Sequence, residues 1–276
     1  MMTIRLFLFA GLFLLCFSEQ ASSDVVHLKN ERNLTGKVVE NNERFVRLEL
    51  SGGTVEFPRS DVEWVLLGTE KEIEDQRRAA GFFDRGQSFF EKKDFEKAIA
   101  EYEKAIALEP NDANLFNNLG SAYANTRNYP EAIRAYESAF KIDPANRTVC
   151  MNLAQAYSEA GFYRKAEHLL RKMAASSPAD ENPSLLLGVV FYKTDRYTAS
   201  IEAYQRALRL MKGATAQTAD IYNNLGSSYA KLGRWGEARQ AYQKSLELRP
   251  KNFNAENNLK TVAKMEEKRA IEAIQK

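Results

Sequence analysis

The chain has 276 residues, enough for one extended array or two domains. Its 39 Lys and Arg residues nearly balance 37 Asp and Glu, and a net charge of +2 gives no electrostatic case for nucleic acid as a partner. The two cysteines, Cys16 and Cys150, and the two histidines, His27 and His168, are too scattered to suggest a metal site, so none is expected.

Residues 1–23 have the pattern of a secretory signal peptide. Arg5 supplies the positive start and Leu6 to Phe17 form an apolar run of 12. Ala21-Ser22-Ser23 place small residues where a signal peptidase reads, so cleavage is expected near Ser23; Cys16-Phe17-Ser18 is a weaker site. The apolar run is short of the roughly 20 residues that span a bilayer. Leu15 stands where bacterial lipoproteins carry a small residue before the modified cysteine. The expected location is therefore extracytoplasmic, periplasmic or secreted. Membrane attachment would follow only from lipidation at Cys16 or an uncleaved N-terminus. Cleavage would leave one cysteine and no internal disulfide.

Residues 24–68 read as a small β module. Val46, Leu48 and Leu50 alternate with Arg47 and Glu49, the period of a half-buried strand. Ser51-Gly52-Gly53 makes a turn, and Val55 and Phe57 alternate again. Strands are expected at 25–29, 34–40, 44–50, 53–57 and 62–67. A barrel is the economical way to hide the edges of such short strands. The segment resembles the SH3-like or Sm-like barrels that precede exported bacterial repeat proteins. Its six basic residues (Lys29, Arg32, Lys37, Arg44, Arg47, Arg59) face eight acidic ones, which does not favour phosphate binding. Residues 69–78, TEKEIEDQRR, read as a solvated helical lead-in.

From residue 79 the chain repeats. Pro110, Pro144 and Pro178 are spaced by 34 residues. A 34-residue frame divides 79–252 into 79–112, 113–146, 147–180, 181–214 and 219–252, with Thr215 to Thr218 intervening. The eighth frame position holds Gly86, Gly120, Ala154, Gly188 and Gly226; the twentieth holds Ala98, Ala132, Ala166, Ser200 and Ala238. An aromatic recurs at the seventeenth: Phe95, Tyr129, Tyr163, Tyr197 and Trp235. Small residues let paired helices approach, aromatics fill the wedge, and proline stops the second helix. Such hairpins bury their apolar faces only by stacking. Residues 253–276 begin as another first helix, then turn polar, as a capping helix should.

This pattern resembles the tetratricopeptide repeat (TPR) over 174 of the 276 residues. The resemblance implies a mainly α fold, an α-solenoid of helical hairpins, preceded here by the small all-β domain. It also implies a non-enzymatic scaffold whose concave groove, lined by first-helix positions 2, 5, 6, 9, 12 and 13, holds a protein or peptide segment. On those positions the candidate groove residues are Asn114, Asn117, Asn118, Ser121, Asn125, Asn152, Gln155, Leu185, Val189, Tyr192, Asn223 and Asn224. Asn118, Asn152 and Asn224 resemble the asparagine rail by which some family members hold an extended backbone. The carboxylate grip of other members needs Lys or Arg at positions 2, 5 and 6, and none occurs here. The alternative is a structural part of an envelope or secretion assembly, bound through the convex face, the solenoid ends or the β module.

Catalysis has no residues to rest on. There is no phosphate-binding glycine loop and no nucleophile elbow. Cys150 reads as a small buried hydrophobe and His168 has no partner ligand nearby in sequence. No cofactor and no small-molecule substrate are expected.

Overall fold

The computed structural model describes residues 24–30, 33–41, 43–50, 53–66, 70–213 and 215–274; the signal segment expected at 1–23 lies outside them. The chain divides into two compact units, Met1–Ala80 and Gly81–Lys276. Among the described residues, no helix is long and apolar enough to cross a membrane.

The first unit contains β1 (Asp24–Leu28), β2 (Asn33–Asn41), β3 (Phe45–Leu50), β4 (Gly53–Pro58) and β5 (Val62–Leu66), each within a few residues of its expected strand. They form one antiparallel sheet in the order β4-β3-β2-β1-β5. The first half of β2 pairs with β1 and the second half with β3, with a register shift between Val38 and Glu40. Such a bulge bends a strand and lets a short sheet curl. Val26, Leu28, Val46, Leu48 and Val62 form a single buried cluster, flanked by Leu34, Val38, Leu50 and Phe57, so every strand contributes to it. No β4–β5 pairing closes the barrel among the described residues. Among the described residues the sheet is open, with β4 and β5 as its outer strands.

The helical unit is a run of hairpins. They are α1 (Glu70–Glu91) with α2 (Phe95–Leu108), α3 (Ala113–Asn125) with α4 (Tyr129–Ile142), and α5 (Arg147–Glu159) with α6 (Tyr163–Ser176). Then come α7 (Glu181–Lys193) with α8 (Tyr197–Leu210), α9 (Ala216–Lys231) with α10 (Trp235–Leu248), and the single α11 (Phe253–Ile274). From Glu70 onward the charged lead-in is simply the start of α1. The intervening residues after the fourth repeat lengthen α9 at its start. There Thr215 and Thr218 cap one another reciprocally, satisfying amides that would otherwise be orphaned.

Each hairpin turns the same way. The fifteenth frame residue has positive φ in all five: Lys93 (61°), Arg127 (60°), Gly161 (82°), Asp195 (57°) and Gly233 (69°). The next amide then reaches back to a carbonyl of the first helix, as in Asn128 N–H to Tyr123 O at 2.9 Å and Arg196 N–H to Phe191 O at 2.9 Å. This is the Schellman closure of a helix end.

Inside each hairpin a glycine faces a tyrosine. A Cβ added at Gly86, Gly120, Gly188 or Gly226 would lie 2.5–2.8 Å from the ring of Tyr102, Tyr136, Tyr204 or Tyr242. These tyrosines are buried. The third hairpin replaces the pair with Ala154 and Leu170, both buried, trading a ring for a methyl group and a smaller side chain. Three apolar clusters then follow one another along the stack. On α11, Ala255 and Val262 are buried against the last hairpin, while Phe253 (71% exposed), Met265 and Ile271 face outward. The end helix expected to be a polar cap therefore carries three apolar residues on its outer side.

Candidate functional site

The first-helix face carries a depression of about 410 Å³ over α3, α4 and α5. Four expected groove residues line it: Ser121, Asn125, Asn152 and Gln155. Phe90 and Tyr129 add aromatic wall, and Glu159 adds the one carboxylate.

The polar side chains are already organised. Asn152 Nδ2 donates to Asn117 Oδ1 at 2.9 Å, linking α5 to α3. Asn125 Nδ2 donates to the Ser121 carbonyl at 2.9 Å. The Ser121 hydroxyl donates to the Asn117 carbonyl and lies 3.1 Å from the Tyr136 hydroxyl. Burial pushes the Tyr136 phenol up, and the Ser121 bond only partly opposes this, so it stays neutral at physiological pH. Glu159 is held by Lys193 Nζ at 2.9 Å, one repeat further on.

The other expected residues fall elsewhere. Asn118 is half-buried, and its side chain makes no hydrogen bond among the described residues, so it keeps full capacity for a ligand. Asn114 is exposed, and its backbone amide serves the Asp112 cap of α3. Leu185 and Val189 are partly buried, pack against the cluster holding Ile201, Tyr204 and Ile221, and do not line this depression. Tyr192 meets Tyr197 edge-on at 5.5 Å between ring centroids. Asn223 and Asn224 form a second amide group: Asn223 Nδ2 reaches Asn224 Oδ1 at 3.3 Å, and Asn258 Nδ2 of α11 reaches Asn223 Oδ1 at 3.1 Å.

Glu159 and Tyr129 line the depression and were not among the expected groove residues. Glu159 occupies the same frame position as Asn125, so the frame itself could have found it. Tyr129 was read only as a wedge aromatic. Among the described residues, no group of three or more His, Cys, Asp or Glu could hold a metal ion.

Comparison with known proteins agrees with this geometry. Family profiles described as tetratricopeptide repeat match residues 181–251 and 126–189, and a profile described as TPR repeat matches 86–126. Among curated proteins, the peroxisomal targeting signal receptor of Eremothecium gossypii is 37% identical over 93 residues, covering 34% of this chain and 16% of that protein. That of Candida glabrata is 35% identical over 80 residues, covering 29% and 13%. The chain thus spans about an eighth to a sixth of the length of these relatives. Among solved structures, MamA from Desulfovibrio magneticus RS-1 has a TM-score of 0.57 at 21% identity, over 64% of this chain and 97% of that one. YrrB, described as a TPR protein with an unusual peptide-binding site, has a TM-score of 0.54 at 19% identity, over 69% and 96%. At such identities the likeness concerns the fold alone. Repeating hairpins, glycine–tyrosine contacts and three matching profiles lead to one conclusion: residues 86–251 are tetratricopeptide repeats.

Proposed function

We propose that this protein is an exported, non-catalytic scaffold that binds an extended segment of another protein along the first-helix face of its second and third repeats. The observation that carries this reading is the depression lined by Ser121, Asn125, Asn152 and Gln155, where the bond from Asn152 to Asn117 fixes one of the lining amides. Fixed amides lose little freedom when they bind a backbone, so more of each hydrogen bond appears as affinity. A neutral hydrogen bond nets about 0.5–1.5 kcal/mol, so three amides supply at most about 4.5. Micromolar binding needs about 8 kcal/mol. Phe90, Ala124 and Tyr129 are the surfaces available for the rest, since Leu185 and Val189 are already packed. The receptors named above are called after a targeting signal, and YrrB after peptide binding, which is the class of ligand suggested here.

The test is selection of binders from a displayed random peptide library, followed by calorimetric titration. Asn118→Ala, Asn152→Ala and Gln155→Ala together are expected to weaken a selected peptide at least tenfold while leaving helicity unchanged. Unaltered affinity would move the site elsewhere. Export rests on the Met1–Ser23 pattern. It is tested by the mass of the mature N-terminus, expected to begin near Asp24.

A second reading is favoured by one feature, the outward Phe253, Met265 and Ile271 of α11. Exposed apolar side chains on the end helix of a solenoid are available for stacking on another component of an assembly. Light scattering before and after removal of 253–276 tests the self-association form of that reading; an unchanged monomer counts against it.

A further inference from the structure

The repeat frame exposes a defect on the opposite, second-helix side. Where consecutive repeats meet, the twenty-eighth residue of one and the fourth of the next supply bulk: Ile106 with Phe116, and Leu208 with Tyr222. Leu208 and Tyr222 pack into one apolar cluster. At the junction of the third and fourth repeats the same positions hold Ala174 and Ser184. A cleft of about 770 Å³ opens there between α6 and α8. Its buried floor includes Ala174, Ser184, Leu187, Phe191 and Ala203. The neighbouring junction, where Phe140 meets the small Cys150, has a smaller cleft of about 270 Å³.

Two further observations point to a ligand. The Ser184 hydroxyl, in a residue only 1% exposed, has no hydrogen-bond partner. Buried hydroxyls are normally satisfied, and this orphan belongs to a residue that lines the cleft, so a polar group seated there would give it a partner. The rim is basic. Arg171, Arg206 and Arg209 line the cleft against a single acidic residue, Glu202. Arg171 is already paired with Glu167, whereas no carboxylate lies within 4 Å of Arg206 or Arg209 among the described residues.

We propose that this cleft is a docking notch for a partner segment in which one aromatic side chain is flanked by acidic residues. The aromatic takes the volume that Phe116 and Tyr222 fill at their own junctions. A phenol or indole group satisfies Ser184, and the acidic flank meets Arg206 and Arg209. This site is separate from the first-helix groove and does not depend on it.

The probe is a fluorescein-labelled peptide with one tyrosine between Glu and Asp residues, compared with its Tyr→Ala and Lys-flanked counterparts by anisotropy on the full chain. The acidic tyrosine peptide is expected to bind saturably and the two controls at least tenfold more weakly. Ala174→Leu/Ser184→Tyr, which rebuilds the bulk found at the next junction, should cost at least tenfold. Arg206→Glu/Arg209→Glu should do the same, and these exposed positions do not threaten folding. Asn118→Ala/Asn152→Ala/Gln155→Ala should leave this binding unchanged even if it abolishes groove binding. Absence of saturable binding overturns the proposal. So does survival of affinity within twofold in either double variant, or equal binding of the Lys-flanked peptide. Self-association of the chain that the filled variant abolishes would assign the notch to a second copy, and would equally overturn it.

Discussion

Gly120→Ala is the sharpest test of how these hairpins hold together, because two opposing effects have comparable size. Alanine is favoured over glycine in a helix by about 0.5–1 kcal/mol, and Gly120 lies inside α3. The new methyl carbon, however, would lie 2.7 Å from the Tyr136 ring. Carbon atoms pack comfortably at about 3.5–4.0 Å, so the ring must retreat by about 1 Å. Tyr136 is 4% exposed and its hydroxyl lies against Ser121, so it has nowhere to go without disturbing its neighbours. Overpacking of this kind costs about 1–3 kcal/mol. Mid-range values of the two terms leave a net loss of about 1 kcal/mol, or about 2–4 °C in Tm for a unit this size. Gly120→Ala with Tyr136→Leu recreates the Ala154–Leu170 pair of the third hairpin. Tyr136→Leu alone should destabilise by leaving a gap and removing the Tyr136 hydroxyl from Ser121, which keeps its bond to the Asn117 carbonyl. The double variant should be more stable than the sum of the singles predicts, by at least about 1 kcal/mol. Urea titration followed by circular dichroism on all four proteins measures this. A Gly120→Ala protein as stable as the parent, or strictly additive singles, would refute the reasoning.

Other outcomes follow from the same coordinates. Gly161→Ala meets no atom within 4 Å but must hold φ near +82°, so a loss of about 1 kcal/mol in urea titration would come from backbone conformation alone. Arg127→Gly at the equivalent turn should move stability the other way, by about 0.5–1 kcal/mol. Asp180 caps α7 and accepts two bonds from Arg147, at 2.6 and 2.7 Å, which hold its carboxyl below the usual carboxylate range. Because the folded value is the lower one, its contribution is complete once the pH is well above the unfolded carboxylate value and disappears as pH falls through the folded value. Asp180→Ala should cost about 1–2 kcal/mol at pH 7, and urea midpoints should approach the parent's as pH falls through the lowered carboxyl value. Cys150 is buried and its thiol is pushed up by burial, so alkylation of the native protein should be slow and should accelerate on unfolding, as mass spectrometry would show.

The fold was legible because it repeats. A glycine in one hairpin is ambiguous, but Gly86, Gly120, Gly188 and Gly226 at one frame position specify a close helix crossing, and each meets a tyrosine ring. The hairpin turns were legible in position and not in conformation. Lys93, Arg127 and Asp195 adopt the same positive φ as Gly161 and Gly233 because the Schellman hydrogen bonds impose it, whatever the residue prefers. The β strands were found by alternation, but whether the sheet closes depends on pairing between β4 and β5, which alternation does not encode.

The site was legible in outline only, for a reason that lies in how a solenoid is built. A frame assigns each residue a face, so Asn152, Gln155 and Asn125 were placed correctly. It does not assign partners between repeats. Asn117 and Asn152 are 35 residues apart, as are Asn223 and Asn258, and each pair joins position 5 of one repeat to position 6 of the next. The asparagines are therefore ties between first helices as well as candidate ligand groups. Where the series breaks, at Leu185 and Leu186, the tie is replaced by packing into the two neighbouring clusters. That same repeat lacks bulk on its other side, at Ser184. A helix bound by apolar packing on one face and left unfilled on the other marks the fourth repeat as the place where this stack departs from its own pattern, and where a partner would distinguish it from any other array of the same hairpins.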